Sequence, residues 1–258
     1  MHIFEERYEV RFAANADEIK ESQRLRYKVF VEEMGGSITG HPEMLQLERD
    51  EFDDYCYHLL LIDLKNKSEG SNGKIAAVTR LMPGSEAESG IGFCSAKEYD
   101  LGPLIRTQKK CLELGRTCID KSYRNSLTLH YLWKGLGSFV SERDIDLLFG
   151  LASFPGNDVR KISMGLSFIY NRYLAPQEIR PKALKHGLID MNLVPQTEFD
   201  KIKALGQIPS LLKGYMRLGA QSGEGAFMDR SLNTIDICIV IDVRQMAEKY
   251  RDYYGKAG

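Results

Sequence analysis

The chain has 258 residues, of which 43% are hydrophobic and 28% charged, so it is long and apolar enough to bury a substantial core. Its 35 lysines and arginines balance 36 aspartates and glutamates, and the net charge of -1 excludes a general electrostatic attraction to nucleic acid or to an anionic membrane. Any basic docking site must therefore be local.

The N-terminal segment and the cysteines indicate a cytoplasmic protein. MHIFEERYEV carries acidic residues where a signal peptide has a basic region followed by an apolar one, so we expect no signal peptide. The longest apolar runs, at 59–62 and 237–241, are far shorter than the ~20 residues that cross a bilayer. The five cysteines form an odd set without a C-x-x-C pair, which predicts reduced, buried thiols. The histidines show no metal-binding spacing, and no metal is predicted.

The N-terminal half is predicted to begin with a strand at 8–12 and a helix that Asp17 caps and that ends at Gly35 and Gly36. An irregular acidic segment follows. YHLLLIDL and KIAAVTRLM are predicted strands, joined by the hairpin turn KNKSEGSNGK and followed by a loop, PGSEAESG.

The remainder alternates strands and helices. After an irregular stretch, CSAKEYDLGPLI, the segment KKCLELGRTCID is a predicted strand because Leu112, Leu114 and Cys118 alternate with polar positions. Residues 126–140 are a predicted helix, and LLFGLASF is a predicted buried strand. A mostly helical region with proline breaks, the strand TIDICIVIDV and a polar helical tail complete the chain. This order predicts one α/β domain over 1–258 with a helical insertion at about 158–206.

Charged residues interrupt several ordered elements, notably Glu113 and Arg116 in the strand CLELGRTC. A charge in a central strand is costly unless it is paired or faces a cleft, so an internal ion pair is one interpretation and a reactive cleft is the other. Residues three apart in a regular strand face opposite sides. Both side chains therefore line one cleft only if a bulge, expected at Gly115, turns one of them.

Several segments, in order along nearly the whole chain, resemble the bacterial ornithine-lipid synthesis N-acyltransferases. They are RLRYKVFVEEMG, ERDEFDDYCYHLLLID, TRLM, LELGRTC, LHYLWKGL, FGLASFPG, PSLLKGYMRLGA and NTIDICIVID. These enzymes have the GNAT fold and are related to the acyl-homoserine-lactone synthases and the long-chain N-acyl amino acid synthases. The resemblance implies a GNAT fold with a mixed, mostly antiparallel central sheet.

The resemblance also implies an activity. A 3-hydroxy fatty acyl group would pass from acyl carrier protein to the α-amine of ornithine, giving lyso-ornithine lipid. The acyl-phosphopantetheine of the carrier would be the donor, and no cofactor would be bound permanently. Two alternatives stay open: another amino acid acceptor (lysine, glycine, serine or glutamine), or an inactive GNAT-like module that binds acyl carrier protein or lipid.

The resemblance assigns roles residue by residue. The catalytic set is Glu113, Arg116 and Arg26, and the substrate-binding set is Asp50, Asp53, Arg80 and Phe30, with Glu48 completing an E-x-D-x-x-D run. Glu113 would take a proton from the attacking amine, and backbone N–H groups around Gly115 would bind the oxyanion. Arg116 would orient Glu113 or bind the amino acid carboxylate. Asp50 and Asp53 would receive a cationic side chain, although a solvated acidic loop is the alternative.

Two departures from the related families narrow the prediction. The acyl-homoserine-lactone synthases tend to have a tryptophan where this chain has Met34, which argues against a homoserine-lactone product. RNSLTL replaces the glycine-containing loop of coenzyme A-binding relatives, which favours a carrier protein as donor. Carrier protein is acidic and its pantetheine arm carries a phosphate, so we expect docking at a helix N-terminus through Arg124, Ser126, Thr128 and Lys121. Ordinary surface exposure is the alternative for each.

Three further features are predicted to have no catalytic role. His58 and Asp63 have an H-x-x-x-x-D spacing but lie at opposite ends of one strand, on opposite faces. Cys118 has no histidine nearby in sequence and is predicted to be buried. Peripheral contact with the inner membrane through the apolar segment 164–174 is a further hypothesis, with core packing as the alternative.

Overall fold

The computed structural model describes residues 2–4, 7–37, 45–66 and 73–246. Most of the predicted turn KNKSEGSNGK and the predicted C-terminal helical tail lie outside these residues. The β-strands are β1 His2–Phe4, β2 Tyr8–Phe12, β3 Tyr57–Asp63, β4 Lys74–Pro83, β5 Tyr99–Asp100, β6 Cys111–Ile119, β7 Leu147–Pro155, β8 Lys182–Ala183, β9 Leu188–Ile189, β10 Gln221–Ser222, β11 Ala226–Asp229 and β12 Thr234–Asp242. The α-helices are α1 Ala16–Arg26, α2 Gly84–Glu88, α3 Gly102–Ile105, α4 Ser126–Glu142, α5 Ser163–Tyr173, α6 Lys201–Gln207 and α7 Ser210–Arg217.

The first helix begins two residues earlier than the sequence indicated. Asn15, not Asp17, is its N-cap, and the Asn15 side chain accepts hydrogen bonds of 3.0 Å from the N–H groups of Asp17 and Glu18. Asp17 lies in the first turn, where its charge complements the helix dipole. The helix continues as a π-helical segment, Tyr27–Glu33. Arg26 thus lies at the junction of the two helical geometries.

The chain divides into two compact units. The first unit comprises the described residues of Met1–Ile91 and Leu114–Ile145. Its strands are ordered β1, β2, β3, β4 and β6, and β1 to β4 form an antiparallel meander. Leu25 and Val29 on the first helical segment pack against Leu60 of β3 and Val78 of β4. This packing holds the first helical segment against β3 and β4.

The second unit comprises Gly92–Glu113 and the described residues from Asp146 onward. Here β7 and β12 pair antiparallel over their full length, and the first three residues of β6 pair parallel with β7. Strand β6 therefore begins in one unit and ends in the other. The predicted helical insertion contains α5 and α6, but also the short strands β8 and β9, because prolines end its helical segments. The prediction of a single domain over 1–258 stays a prediction.

Segments expected to be irregular contain short ordered elements. PGSEAESG forms helix α2, and CSAKEYDLGPLI forms a 3-10 helix, Cys94–Lys97, then β5 and α3. Pro103 stands in the first turn of α3, where its missing N–H costs no helical hydrogen bond. Helix α5 buries its central residues in the core, and within the described ranges no helix is long and apolar enough to cross a membrane.

Candidate active site

Six charged side chains of the first unit form one ion-pair network. Its members come from the first helix, the loop before β3, β4 and β6: Arg26, Glu48, Asp50, Asp53, Arg80 and Arg116. Three positive charges face three negative ones, so the network is neutral as a set. The sequence singled out each of these residues, and the fold brings them together.

Arg26 is the buried centre of this network, with 0% of its surface exposed. Its Nε donates to Glu48 Oε2 at 2.5 Å, and its Nη1 and Nη2 donate to the two oxygens of Asp53 at 2.5 and 3.1 Å. This planar fork matches a carboxylate in a way that lysine cannot reproduce. Arg26 therefore joins the loop residues 48–53 to the first helix.

Arg80 and Arg116 complete the network from the strands. Arg80 Nη1 donates to Asp50 Oδ1 at 2.5 Å and to Asp53 Oδ1 at 3.1 Å. Arg116 Nε donates to Glu48 Oε1 at 2.9 Å, and its Nη2 donates to Asp50 Oδ2 at 3.2 Å. Each carboxylate is thus shared by two guanidinium groups.

The guanidinium groups keep these carboxylates ionised despite their burial. Burial by itself would raise the pKa of Glu48, but the charges of Arg116 and Arg26 outweigh it and lower that pKa. Burial likewise opposes ionisation of Asp50 and Asp53, and the neighbouring arginines again bring the net pKa below its usual value. The network is therefore charged throughout the neutral pH range.

Among the six side chains of the network, those of Asp50 and Arg116 are the most exposed. The side chains of Asp50 and Arg116 are 15% and 19% exposed, whereas Arg26, Arg80 and Asp53 are at most 2% exposed. Asp53 is enclosed by arginines and by the N–H of Asp50, so its described partners are internal. Phe30 packs against the apolar core of the first unit.

Strand β6 is irregular at Arg116. Its φ is +51°, in the left-handed region, which an ordinary side chain adopts at a cost of about 1–2 kcal/mol. The sequence predicted a bulge at the neighbouring residue, Gly115. The Arg80 guanidinium lies beside this glycine, since a Cβ added to Gly115 would be 3.9 Å from Arg80 Nε. The turn at Arg116 directs its side chain to Glu48 and Asp50.

Glu113 lies in the second unit and is 3% exposed. Its Oε2 accepts the Cys94 N–H at 2.9 Å, while Oε1 accepts the Ser95 N–H at 2.6 Å and the Ser95 hydroxyl at 2.5 Å. Sequence reasoning missed Cys94 and Ser95 because CSAK has no strand or long-helix periodicity. The role of Glu113 as the base stays a prediction.

The predicted carrier-docking residues surround the start of helix α4. Asn125 is the N-cap and accepts the Thr128 N–H at 3.0 Å, while Thr128 itself is buried. Arg124 Nη2 donates to Glu33 at 2.7 Å, and Lys121 is exposed on a 3-10 turn. The side chain of Ser126 lies outside the described residues. Of these four predicted docking residues, Arg124 and Lys121 have exposed cationic side chains.

The residues expected to be inert have other partners. His58 Nε2 lies 3.0 Å from the Asp53 carbonyl oxygen, while Asp63 accepts hydrogen bonds from Arg7 and Tyr123. Cys118 is 4% exposed, and burial raises the pKa of its thiol. Both observations fit the expectation that neither a His–Asp dyad nor a thiolate acts here. All five cysteines lie in the described ranges and form no disulfide, although Cys56 and Cys94 are only partly buried.

One acidic cluster was not expected from the sequence. In the second unit, carboxylate oxygens of Glu98, Asp229 and Asp236 lie within 4.8 Å of one another. Oxygen ligands of this kind suit a hard divalent cation, but acidic clusters also occur without one. The prediction of no metal stays a prediction.

Comparison with known proteins identifies the family. Residues 25–134 match the acetyltransferase (GNAT) domain model. The L-ornithine N(alpha)-acyltransferase of Rhodobacter capsulatus is 42% identical over 96% of this chain and 94% of the relative, and the enzyme of that name from Agrobacterium fabrum is 37% identical over 96% and 85%. This chain belongs to the L-ornithine N(alpha)-acyltransferase family. It is an acyltransferase, as the sequence predicted.

Solved structures confirm the predicted fold of this family member. The N-acyl amino acid synthase FeeM from uncultured soil microbes superposes with a TM-score of 0.53 at 12% identity, covering 93% of this chain and 92% of FeeM. The coenzyme A-dependent acyl-homoserine lactone synthase BjaI gives 0.52 at 14% identity, covering 96% and 89%. At these identities the likeness shows the fold alone, a GNAT fold with a mixed sheet.

Proposed function

We propose that this protein transfers a 3-hydroxy fatty acyl group from acyl carrier protein to the α-amine of ornithine, giving lyso-ornithine lipid. The observation that carries the proposal is the alignment of nearly the whole chain with L-ornithine N(alpha)-acyltransferases at 35–42% identity. The missing glycine-containing loop at 124–129 supports the carrier protein as donor over coenzyme A.

The proposed reaction is a direct acyl transfer with Glu113 as the base. The amine nitrogen attacks the thioester carbonyl carbon, and the carbon–sulfur bond breaks when the tetrahedral intermediate collapses to the amide. The proton lost by the amine passes to Glu113 and then to the leaving thiolate, so the carrier leaves as a free thiol. A buried carboxylate is suited to this task because water does not compete for the proton. Backbone N–H groups near Gly115 stay the proposed oxyanion donors.

The proposed acceptor site is the exposed edge of the ion-pair network. Ornithine carries a carboxylate and a side-chain ammonium, and Arg116 and Asp50 present the opposite charges at the partly exposed edge. Arg26, Arg80 and Asp53 are proposed to hold these two side chains in place from behind, since they are buried. A neutral network that offers one cation and one anion suits a dipolar amino acid with a charged side chain.

The proposed donor site is the surface around Arg124 and Lys121. Both are exposed cations near the start of α4, as an acidic carrier requires. Ser126 and Thr128 belong to the proposal through their backbone positions, but the Thr128 N–H already has Asn125 as its acceptor. Transient contact with the inner membrane is also proposed, because the product is a lipid. The burial of α5 favours core packing for that helix.

The test is thiol release by purified protein with 3-hydroxyacyl carrier protein, with and without ornithine. We expect thiol release that depends on the amine and equals the yield of N-acyl ornithine. Lysine, glycine, serine and glutamine, offered in turn, measure the acceptor preference. Thiol release without amine dependence, or a better rate with another amino acid, would overturn the assigned acceptor.

The role of Glu113 is tested by Glu113→Gln, with Glu198→Gln as a matched control in the same unit, since Glu198 is exposed. We expect turnover to fall ~10²-fold or more for Glu113→Gln and to stay unchanged for the control. Unchanged turnover in Glu113→Gln would return Glu113 to a structural role.

A further inference from the structure

The Glu113 carboxylate is fixed by the short segment at Cys94–Lys97, and this segment is anchored to the strand beside Glu113. Phe93, immediately before it, lies edge-to-face against Phe149, with ring centroids 4.9 Å apart. Phe149 is the β7 residue that pairs with Glu113 in the parallel register. Both partners of these hydrogen bonds therefore lie against β7: the segment Cys94–Lys97 donates them and Glu113 accepts them.

Ser95 supplies two of the three described hydrogen bonds to this carboxylate. Its N–H and its hydroxyl both donate to Oε1, at 2.6 and 2.5 Å, while the Cys94 N–H donates to Oε2. Ser95 is 1% exposed and Glu113 is 3% exposed, so water screens these bonds little. Donors on both oxygens fix the carboxylate in its plane as well as in position.

A base must be held within hydrogen-bonding geometry of the proton that it takes, and small displacements of such a group reduce turnover strongly. Alanine at position 95 would keep the backbone N–H and remove only the hydroxyl. The side-chain contribution can therefore be separated from the fold of the segment.

We propose that Ser95 is a positioning residue, which orients the Glu113 carboxylate for proton transfer from the attacking amine. This inference rests on the proposed role of Glu113 as the base. It adds a residue outside the predicted catalytic set, and it assigns to the segment Cys94–Lys97 a role in the reaction.

The test compares Ser95→Ala and Ser95→Cys with the unmodified protein, each also combined with Glu113→Gln. For Ser95→Ala we expect kcat to fall about tenfold, the size of one lost charge-assisted hydrogen bond, with KM for ornithine and for the acyl carrier within twofold. The acid limb of the kcat–pH profile should move to higher pH, because losing a donor favours the protonated carboxyl group. Ser95→Cys replaces the hydroxyl with a somewhat larger thiol that is a weaker donor, and its kcat should be intermediate.

Ser167→Ala is the matched control. Ser167 is a fully buried serine of the same unit, and its hydroxyl bonds the Met191 carbonyl oxygen and two backbone N–H groups. Its replacement should lower the unfolding temperature and leave the kcat–pH profile unchanged. Circular dichroism checks that each variant is folded before kinetics are compared.

The combined variants decide between a role through Glu113 and a separate one. If Ser95 acts through Glu113, Ser95→Ala causes no further loss in the Glu113→Gln background. Two results would overturn the role of Ser95 without affecting that of Glu113. One is an equal loss of kcat in both backgrounds. The other is an unchanged kcat and pH profile in Ser95→Ala while Glu113→Gln is impaired. Full turnover in Glu113→Gln would overturn the proposed base itself, and with it this inference.

Discussion

Replacement of Arg26 is the sharpest test of the ion-pair network. Arg26→Met keeps an unbranched side chain of similar length but removes the three hydrogen bonds that Arg26 donates to Glu48 and Asp53. The neutral set of six charges then becomes a buried set with a net charge of minus one. Because the two carboxylates stay buried, we expect the free energy of unfolding to fall by about 3–5 kcal/mol, the range for breaking a buried pair on one side.

Arg24→Met, two residues away on the same helix, is the control for this change. Arg24 is 52% exposed and pairs with Glu21 one turn earlier, so its loss should cost about 0–1 kcal/mol. Urea denaturation followed by circular dichroism at pH 7 measures both variants. The contrast between the two positions removes any general effect of an arginine-to-methionine change on helix α1.

A difference below about 1 kcal/mol between the two variants would refute the reasoning. It would mean that Glu48 and Asp53 find other partners or water when Arg26 is lost. Arg26→Lys should lie between Arg26→Met and the unmodified protein, since lysine keeps the charge but cannot bind two carboxylates through a planar fork.

Three further predictions concern the same region. The pKa values of Glu48, Asp50 and Asp53 are lowered in the folded protein. Their contribution to the free energy of unfolding is therefore complete above the unfolded-state pKa of about 4 and is lost as pH falls through the lower folded-state values. The urea midpoint should decrease as the pH is lowered below about 4, and a constant midpoint would contradict this. Asp50→Asn should lower the ratio of kcat/KM for ornithine to kcat/KM for glutamine about tenfold. The fraction of folded protein does not affect this ratio. An unchanged ratio would mean that Asp50 is not part of the acceptor site. Cys118→Ala should keep turnover within about twofold, because the thiol is buried and the proposed transfer passes directly to the amine; loss of activity in a folded variant would contradict direct transfer.

Sequence periodicity was sufficient for the long elements. Strands β3, β4, β7 and β12 lie where alternating or continuous apolar runs predicted them, since burial of one face leaves a repeating signal along the chain. Helix α4 agrees with its prediction within two residues at its end. The short elements at 84–88 and 94–105 were missed, because one or two turns carry too few residues for a period to appear.

Residue type and position in the chain by themselves singled out Arg26, Asp50, Asp53, Glu113 and Arg116 as candidates for the chemistry, and the family resemblance added Glu48 and Arg80. Only the tertiary structure decided how they are used. It buries Arg26 and Asp53 as mutual partners, leaves Asp50 and Arg116 at the partly exposed edge, and gives Glu113 its hydrogen bonds from Ser95. The physical reason is that a charge in the sequence has no partner until folding brings distant segments within hydrogen-bonding distance, and the partner determines whether that charge stabilises the core or faces a substrate.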